Sequence, residues 1–317
     1  MVGVVIERAG ELAALGTAGC WVITALSFEA AGKRIGSLSL NLIRLSMALL
    51  PLSLWGLITR GHALPLDASP AAWGWLTLSG LVGFVLGDLC LFRAFVLIGP
   101  RLSTLIMASV PVWTAAFGFV FLGERLVGRE LLGVTLTVGG IAWAVSRRQP
   151  QPEPSGSPIP DGTGELEAEA PARWRFASSG VVLAFAGAFG QAGGLVLSKH
   201  GMAEYDAFAA TQIRVIAGIL GFAAVITSWR WWPRVLEALR DRPAMGTTAI
   251  GAVFGPFLGV GLSLLAVQLA PTGVAASLMA TTPILMLPVS WIRGEIFGWA
   301  GTLGAVLAVS GVALLLL

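Results

Sequence analysis

Charge is the scarcest commodity in this chain. Asp, Glu, Lys and Arg together make 12% of 317 residues while hydrophobic residues make 56%, and a soluble domain carries roughly a quarter of its residues as charges. So few charges cannot cover a water-facing surface, which excludes a soluble globule; a mean hydropathy of +0.83 points to a polytopic membrane protein. Cysteine is nearly missing. Cys20 and Cys90 both lie within apolar runs, which argues against a disulfide framework or a thiolate metal centre and leaves two small core residues. Histidine is limited to His62 and His200, and neither a phosphate-cradling glycine loop with its lysine nor a serine in a nucleophile elbow is present. The chain is therefore read as no enzyme, without metal or cofactor. Its formal net charge of +3 comes from loop arginines, a topology signal rather than a nucleic-acid footprint.

What is present is a series of apolar runs. Spans are expected at about 12–31, 37–58, 73–98, 102–122 and 131–145, then at 177–197, 207–228, 245–269, 273–292 and 297–317. The expected fold is all-α, with ten transmembrane helices. Between the fifth and sixth spans the composition changes to six prolines from Pro150 to Pro171 with several carboxylates, too polar to bury a core and read as a flexible linker. The domain reading is a first five-helix repeat at 1–146, a linker at 147–176 and a second repeat at 177–317. Ten of the twelve tryptophans fall near expected span ends, where an indole suits the headgroup level. Trp21 and Trp113 lie inside spans, either as core packing or as a cavity lining that stacks on a flat or cationic substrate.

The two halves repeat. GPRLSTLIMASVPVWTAAFGFVFLGERL at 99–126 returns as APTGVAASLMATTPILMLPVSWIRGEI at 270–296. At an offset of about 172, Gly83 falls on Gly255, Gly87 on Gly259, Met107 on Met279 and Pro111 on Pro283. An odd number of spans per half predicts that the second half enters the membrane from the opposite side, as an inverted repeat with a site between the halves near the midplane. Pro111, Pro256 and Pro283 each remove a backbone donor inside an apolar span and are expected to bend their helices beside that site.

The ten-span plan in two halves, Trp21 in the first span, and a proline-centred fourth span closing in LGERL at Leu122–Leu126 resemble the EamA family of the drug/metabolite transporter superfamily. The resemblance implies a secondary transporter, commonly an exporter of amino acids or other small metabolites. It further implies a bacterial plasma (inner) membrane location, a monomer or homodimer, and both termini in the cytoplasm. The charge distribution implies the reverse orientation: excluding Arg44, Arg93 and Arg214, the linker side carries twelve Lys and Arg against five on the side of the termini.

A charge near the bilayer centre costs roughly 2.5–3.5 kcal/mol on insertion scales, so each one asks for a role. Glu29, Arg44, Asp88 and Arg93 fall in the first half, with Asp88 roughly 15 Å from its span end at a rise of about 1.5 Å per residue. Two readings stand side by side. The four form a fixed neutralising network, or they belong to a substrate and proton pathway with Asp88 as the proton-binding group. Arg44 has a repeat counterpart in Arg214, whereas Asp88 matches Val260 and Arg93 matches Leu265. A network required by the fold should recur in both halves, which favours function. In the second half Gln191 and Arg214 are the deepest polar candidates. The resulting expectation is a carrier of a small-molecule substrate working by alternating access, with protons as the candidate coupling ion; the rival is a channel, or a lipid or lipid-linked flippase, without proton coupling.

Overall fold

The computed structural model describes residues 8–147, 170–286, 288 and 299–316. All regular structure among the described residues is helical. In chain order the helices are α1 (Ala9–Ile35), α2 (Ser37–Arg60), α3 (Pro70–Gly80), α4 (Asp88–Met107), α5 (Val110–Leu122) and α6 (Gly128–Arg147). Then come α7 (Ala170–Met202), which begins within the stretch expected as linker, α8 (Ala207–Ser228), α9 (Trp232–Ala238), α10 (Arg242–Ala252), α11 (Val260–Leu269), α12 (Thr272–Met279), α13 (Thr282–Leu285) and α14 (Trp299–Leu316). Among the described residues, six helical stretches are long and apolar enough to cross a membrane: Ala9–Ile35, Ser37–Arg60, Pro70–Ala94, Ser179–Met202, Ala207–Ser228 and Arg242–Leu269. Their outward faces carry large apolar side chains such as Leu50, Ile58, Leu86 and Leu220, all more than half exposed. This is the surface of a protein whose solvent is hydrocarbon.

The interruptions of these helices recur at matching places. Helix α3 passes into α4 through a π-helical segment, Leu81–Gly87, and α10 passes into α11 through another, Val253–Gly259. Each begins two residues before a glycine and ends on one, Gly83 and Gly87 in the first, Gly255 and Gly259 in the second. A π segment widens the helix locally, and the glycines let a neighbouring helix approach the widened turn. Gly190 and Gly194 of α7 meet Gly87 and Gly83, while Trp21 and Thr24 of α1 meet Gly259 and Gly255.

A second matched interruption precedes the repeated prolines. Helix α4 ends at Met107, α12 ends at Met279, and each is followed by a two-residue turn, Ala108–Ser109 or Ala280–Thr281. The hydroxyls of Ser109 and Thr281 donate to the carbonyls of Ile106 (2.6 Å) and Leu278 (2.7 Å). Pro283 has no N–H for the carbonyl of Met279, and the Thr282 hydroxyl donates to it instead at 2.9 Å. Pro111 and Pro283 therefore stand in the first turn of a new helical segment, where a missing N–H costs least, and Pro256 lies inside the second π segment. The break expected between the spans ending at 98 and starting at 102 falls inside α4, which continues to Met107. Likewise α1 continues to Ile35, past the expected 31, because Gly36 at φ +73° takes the whole reversal into α2.

Packing is reciprocal between the halves. The unit α3–α4 lies along α7, α10–α11 lies along α1, α2 pairs with α8, and α6 pairs with α14. The main buried core, including Leu45, Leu52, Phe222, Ile226 and Leu264, sits where α2 and α8 meet. Polar ties close the ends: the Gln212 amide donates to Ser53 Oγ (2.9 Å) and the Ala63 carbonyl (2.8 Å). Arg34 at the end of α1 pairs with Asp241 at 2.9 Å, and Asp241 also caps α10 by accepting from the Ala244 N–H at 3.0 Å.

Two predictions follow from this packing. A Cβ at Gly140 would collide with backbone atoms of Gly304 and Ala308, whereas Gly139 faces open space. Gly140→Ala should lower thermal stability in detergent by about 1–3 kcal/mol, and Gly139→Ala should leave it unchanged within error. The Asp241 carboxyl is held below its ordinary value by the Ala244 N–H and then by Arg34. Its stabilising effect is therefore full at neutral pH and lost as pH falls through its folded value. Melting curves of Asp241→Asn should lie below wild type at pH 7 and begin to converge with it only below about pH 4, as the pH falls through the lowered value of the folded carboxyl.

Candidate functional site

Asp88 is the first residue of α4, placed directly after the π segment, with its side chain 10% exposed. Arg44 of α2, 15% exposed in its side chain, donates from Nη2 to Asp88 Oδ2. Gln191 of α7 donates from Nε2 to Oδ1 at 3.1 Å. Both carboxylate oxygens are thereby claimed by other helices, as expected for a carboxylate removed from water. Arg214 of α8 is buried at 4% exposure, with its guanidinium 4.8 Å from the Phe84 ring centroid and beside Gly83 of the same π segment. Arg44 lies similarly over Phe28, at 5.3 Å. The Nε atoms of both arginines are buried without a hydrogen-bond partner.

The site is built on equivalent positions filled with different chemistry. Arg44 and Arg214 occupy the same place in their helices, each seven residues after the first helical residue, Ser37 or Ala207. Gln191 approaches Gly87 as Trp21 approaches Gly259, and these two residues are related by the same offset as the arginines. Where Gln191 reaches Asp88, Trp21 lies across the second π segment, which is followed by Val260. One half supplies a carboxylate and an amide, and the other supplies an indole and an apolar side chain.

The remaining residues singled out in the sequence lie elsewhere. Glu29 is exposed and pairs with Lys33 at 2.7 Å along α1, a pairing made possible by the extension of that helix. Arg93 is exposed and is not brought to Asp88. Trp113 sits beside the α4–α5 interruption, its indole N–H donating to Ser109 Oγ at 3.1 Å and its ring 4.3 Å from Phe189. A cavity of about 590 Å³ is lined by Val112, Phe119, Glu124, Leu126, Val138 and Gly273. Another of about 340 Å³ is lined by Trp75, Phe117, Phe121, Val196, Leu197 and His200. Asp88, Arg44 and Arg214 line neither.

The EamA-like transporter family matches residues 8–146 and 178–317, nearly the whole chain outside the linker. The chain belongs to this family. No curated protein matches it significantly. A solved structure described as "Crystal structure of protein" superposes on 97% of this chain and 96% of its own with a TM-score of 0.69 at 16% identity, a likeness of fold. Apolar helices and family together make this an integral membrane protein of a transporter family, not of an enzyme family.

In this EamA-like chain the LGERL ending has a mechanical basis. Gly123, at φ +68°, closes α5 in the left-handed conformation, and the Glu124 N–H bonds back to the Gly118 carbonyl at 3.1 Å. Glu124 is thereby turned across the helix end. Its Oε2 accepts from the N–H (2.8 Å) and hydroxyl (2.7 Å) of Thr272, at the start of α12. Its Oε1 pairs with Lys199 of α7 at 2.7 Å, and Lys199 also donates to the Ala270 carbonyl at 2.8 Å. Lys199 is thus one corner of a partly buried tie between the halves. The only sequence signal for this tie was the repeated Gly-Glu pair, whose second copy, Gly294–Glu295, lies outside the described residues. Glu124→Ala should cost about 1.5–3 kcal/mol in thermal unfolding, with a smaller further loss when Lys199→Met is added; additive losses would mean the two do not act together.

Proposed function

We propose that this protein is a secondary transporter, most simply an exporter of a small metabolite, in a bacterial inner membrane. Ten spans in two inverted five-helix repeats, 1–146 and 177–317, would rock about the centre to expose a shared site alternately to the two sides. The observation that carries this reading is that Asp88, buried within the first half, is bonded both by Arg44 of that half and by Gln191 of the other. A group held by both halves at once senses their relative position, and a change in its pairing changes which arrangement is favoured.

The matched interruptions supply places for such a movement. Each π segment and each pre-proline turn is a point where the helical ladder is already broken, so a change of bend there breaks few further hydrogen bonds. The Glu124–Lys199–Thr272 tie holds the end of α5 against the start of α12 and would have to part for that end to open. Asp88 is proposed as the proton-binding group, since a carboxylate leaving its arginine in a desolvated site gains affinity for a proton.

Counterflow in proteoliposomes tests the reading: preloaded unlabelled metabolite, amino acids among the set, should drive accumulation of its labelled form. Ionic conductance without exchange would reject a carrier. Asp88→Asn should abolish pH-driven accumulation and leave exchange in place, and normal accumulation in that variant would remove Asp88 from the coupling.

A further inference from the structure

Charge balance at the Asp88 cluster goes beyond transport as such. Among the described residues, Arg44 of α2 pairs with Asp88 of α4, while Arg214 of α8 is buried over Phe84 with its guanidinium beside Gly83, whose carbonyl the Gln191 amide also reaches at 3.4 Å, so the cluster holds two guanidinium groups and one carboxylate. Gln191 from α7 is neutral, and Phe28 of α1 and Phe84 of the π segment present ring faces. The claims on these groups are unequal. The charge of Asp88 is already matched by Arg44, and Gln191 donates to its other oxygen, so an incoming ammonium meets a cluster with an excess of positive charge. Among the described residues Arg214 has the Phe84 ring face beside it, and its buried Nε has no hydrogen-bond acceptor. A guanidinium in this position costs free energy that a second carboxylate would recover through a charge-assisted, forked pair of hydrogen bonds.

Resting on the transporter reading, we infer that the substrate is a small organic anion whose carboxylate is held by Arg214, in preference to a zwitterion or an amine. Arg44 stays with Asp88 in the empty state, and Arg214 is the receptor. The glycines around Arg214 fit this role. Its backbone rests on Gly80 and its guanidinium lies beside Gly83, where added side chains would crowd it. The phenyl ring of Phe84 supports the cation without neutralising it.

The test uses ligands that share a carbon skeleton and differ in charge: phenylpyruvate, phenylalanine and phenethylamine, with pyruvate, alanine and ethylamine as a smaller set. Binding to the purified full-length protein is measured by thermal shift and calorimetry, and transport by counterflow. The keto acid of at least one set should bind about tenfold or more tightly than its amino acid, and the amine should not bind. Arg214→Gln should lose that affinity about tenfold or more, and Arg214→Lys should keep part of it. Asp88→Asn, which removes the competing carboxylate, should tighten anion binding several-fold, and this readout holds even if Arg214→Gln fails to fold. Amine or amino acid binding as tight as the keto acid, no anion binding in either set, or loss of anion binding in Asp88→Asn would overturn the inference. Exchange without charge preference would leave the carrier standing and remove this proposal; anion binding without exchange would do the opposite.

Discussion

A helix in hydrocarbon must satisfy its own backbone, because no water is available to bond a freed N–H or C=O. That constraint governs where this protein can depart from regular helix. Its departures come in pairs: π segments at Leu81–Gly87 and Val253–Gly259, and turns at Ala108–Ser109 and Ala280–Thr281. Each is supported locally. Glycines let a neighbouring helix close over the widened turns, and the hydroxyls of Ser109, Thr281 and Thr282 return to the carbonyls just before the breaks.

On that repeated frame the chemistry differs from half to half. Equivalent arginines come from both halves, but the position after the first π segment is Asp88 and after the second Val260. The residue closing over the glycines is Gln191 in one case and Trp21 in the other. An uncompensated charge is expensive in a low-dielectric interior, so the Arg44–Asp88 pair, with the buried Arg214 on the helix packed against that of Arg44, is a point where the balance of the whole bundle can be changed by one added charge or one proton. The tie at Glu124 is a second, more peripheral point of the same kind, in which an acid from the first half secures a helix start of the second.

Much of the site was legible as local anomaly. Asp88, Arg44, Gln191 and Arg214 stood out because polar side chains are rare in apolar runs, and rarity can be read from one segment at a time. Glu29 and Arg93 stood out for the same reason and yet face outward, since depth within a run does not say which way a side chain points. The partners of Glu124 were hidden because Lys199 and Thr272 are distant in sequence and unremarkable alone. The π segments were hidden because an extra residue in a helical turn leaves the hydrophobic pattern almost unchanged.

The sequence by itself determined that the chain lives in a membrane, that it is built of two related halves, and which few polar groups its spans retain. These follow from composition and from self-comparison, which need no knowledge of contacts. Only the tertiary structure decided that Arg44 pairs with Asp88 and not with Glu29, that Arg214 Nε has no hydrogen-bond partner among the described residues, and that the Gly-Glu ending at Gly123–Glu124 grips the other half. The reason is physical: pairing in a desolvated interior depends on which faces of separate helices are pressed together, and that is set by close packing among all of them at once.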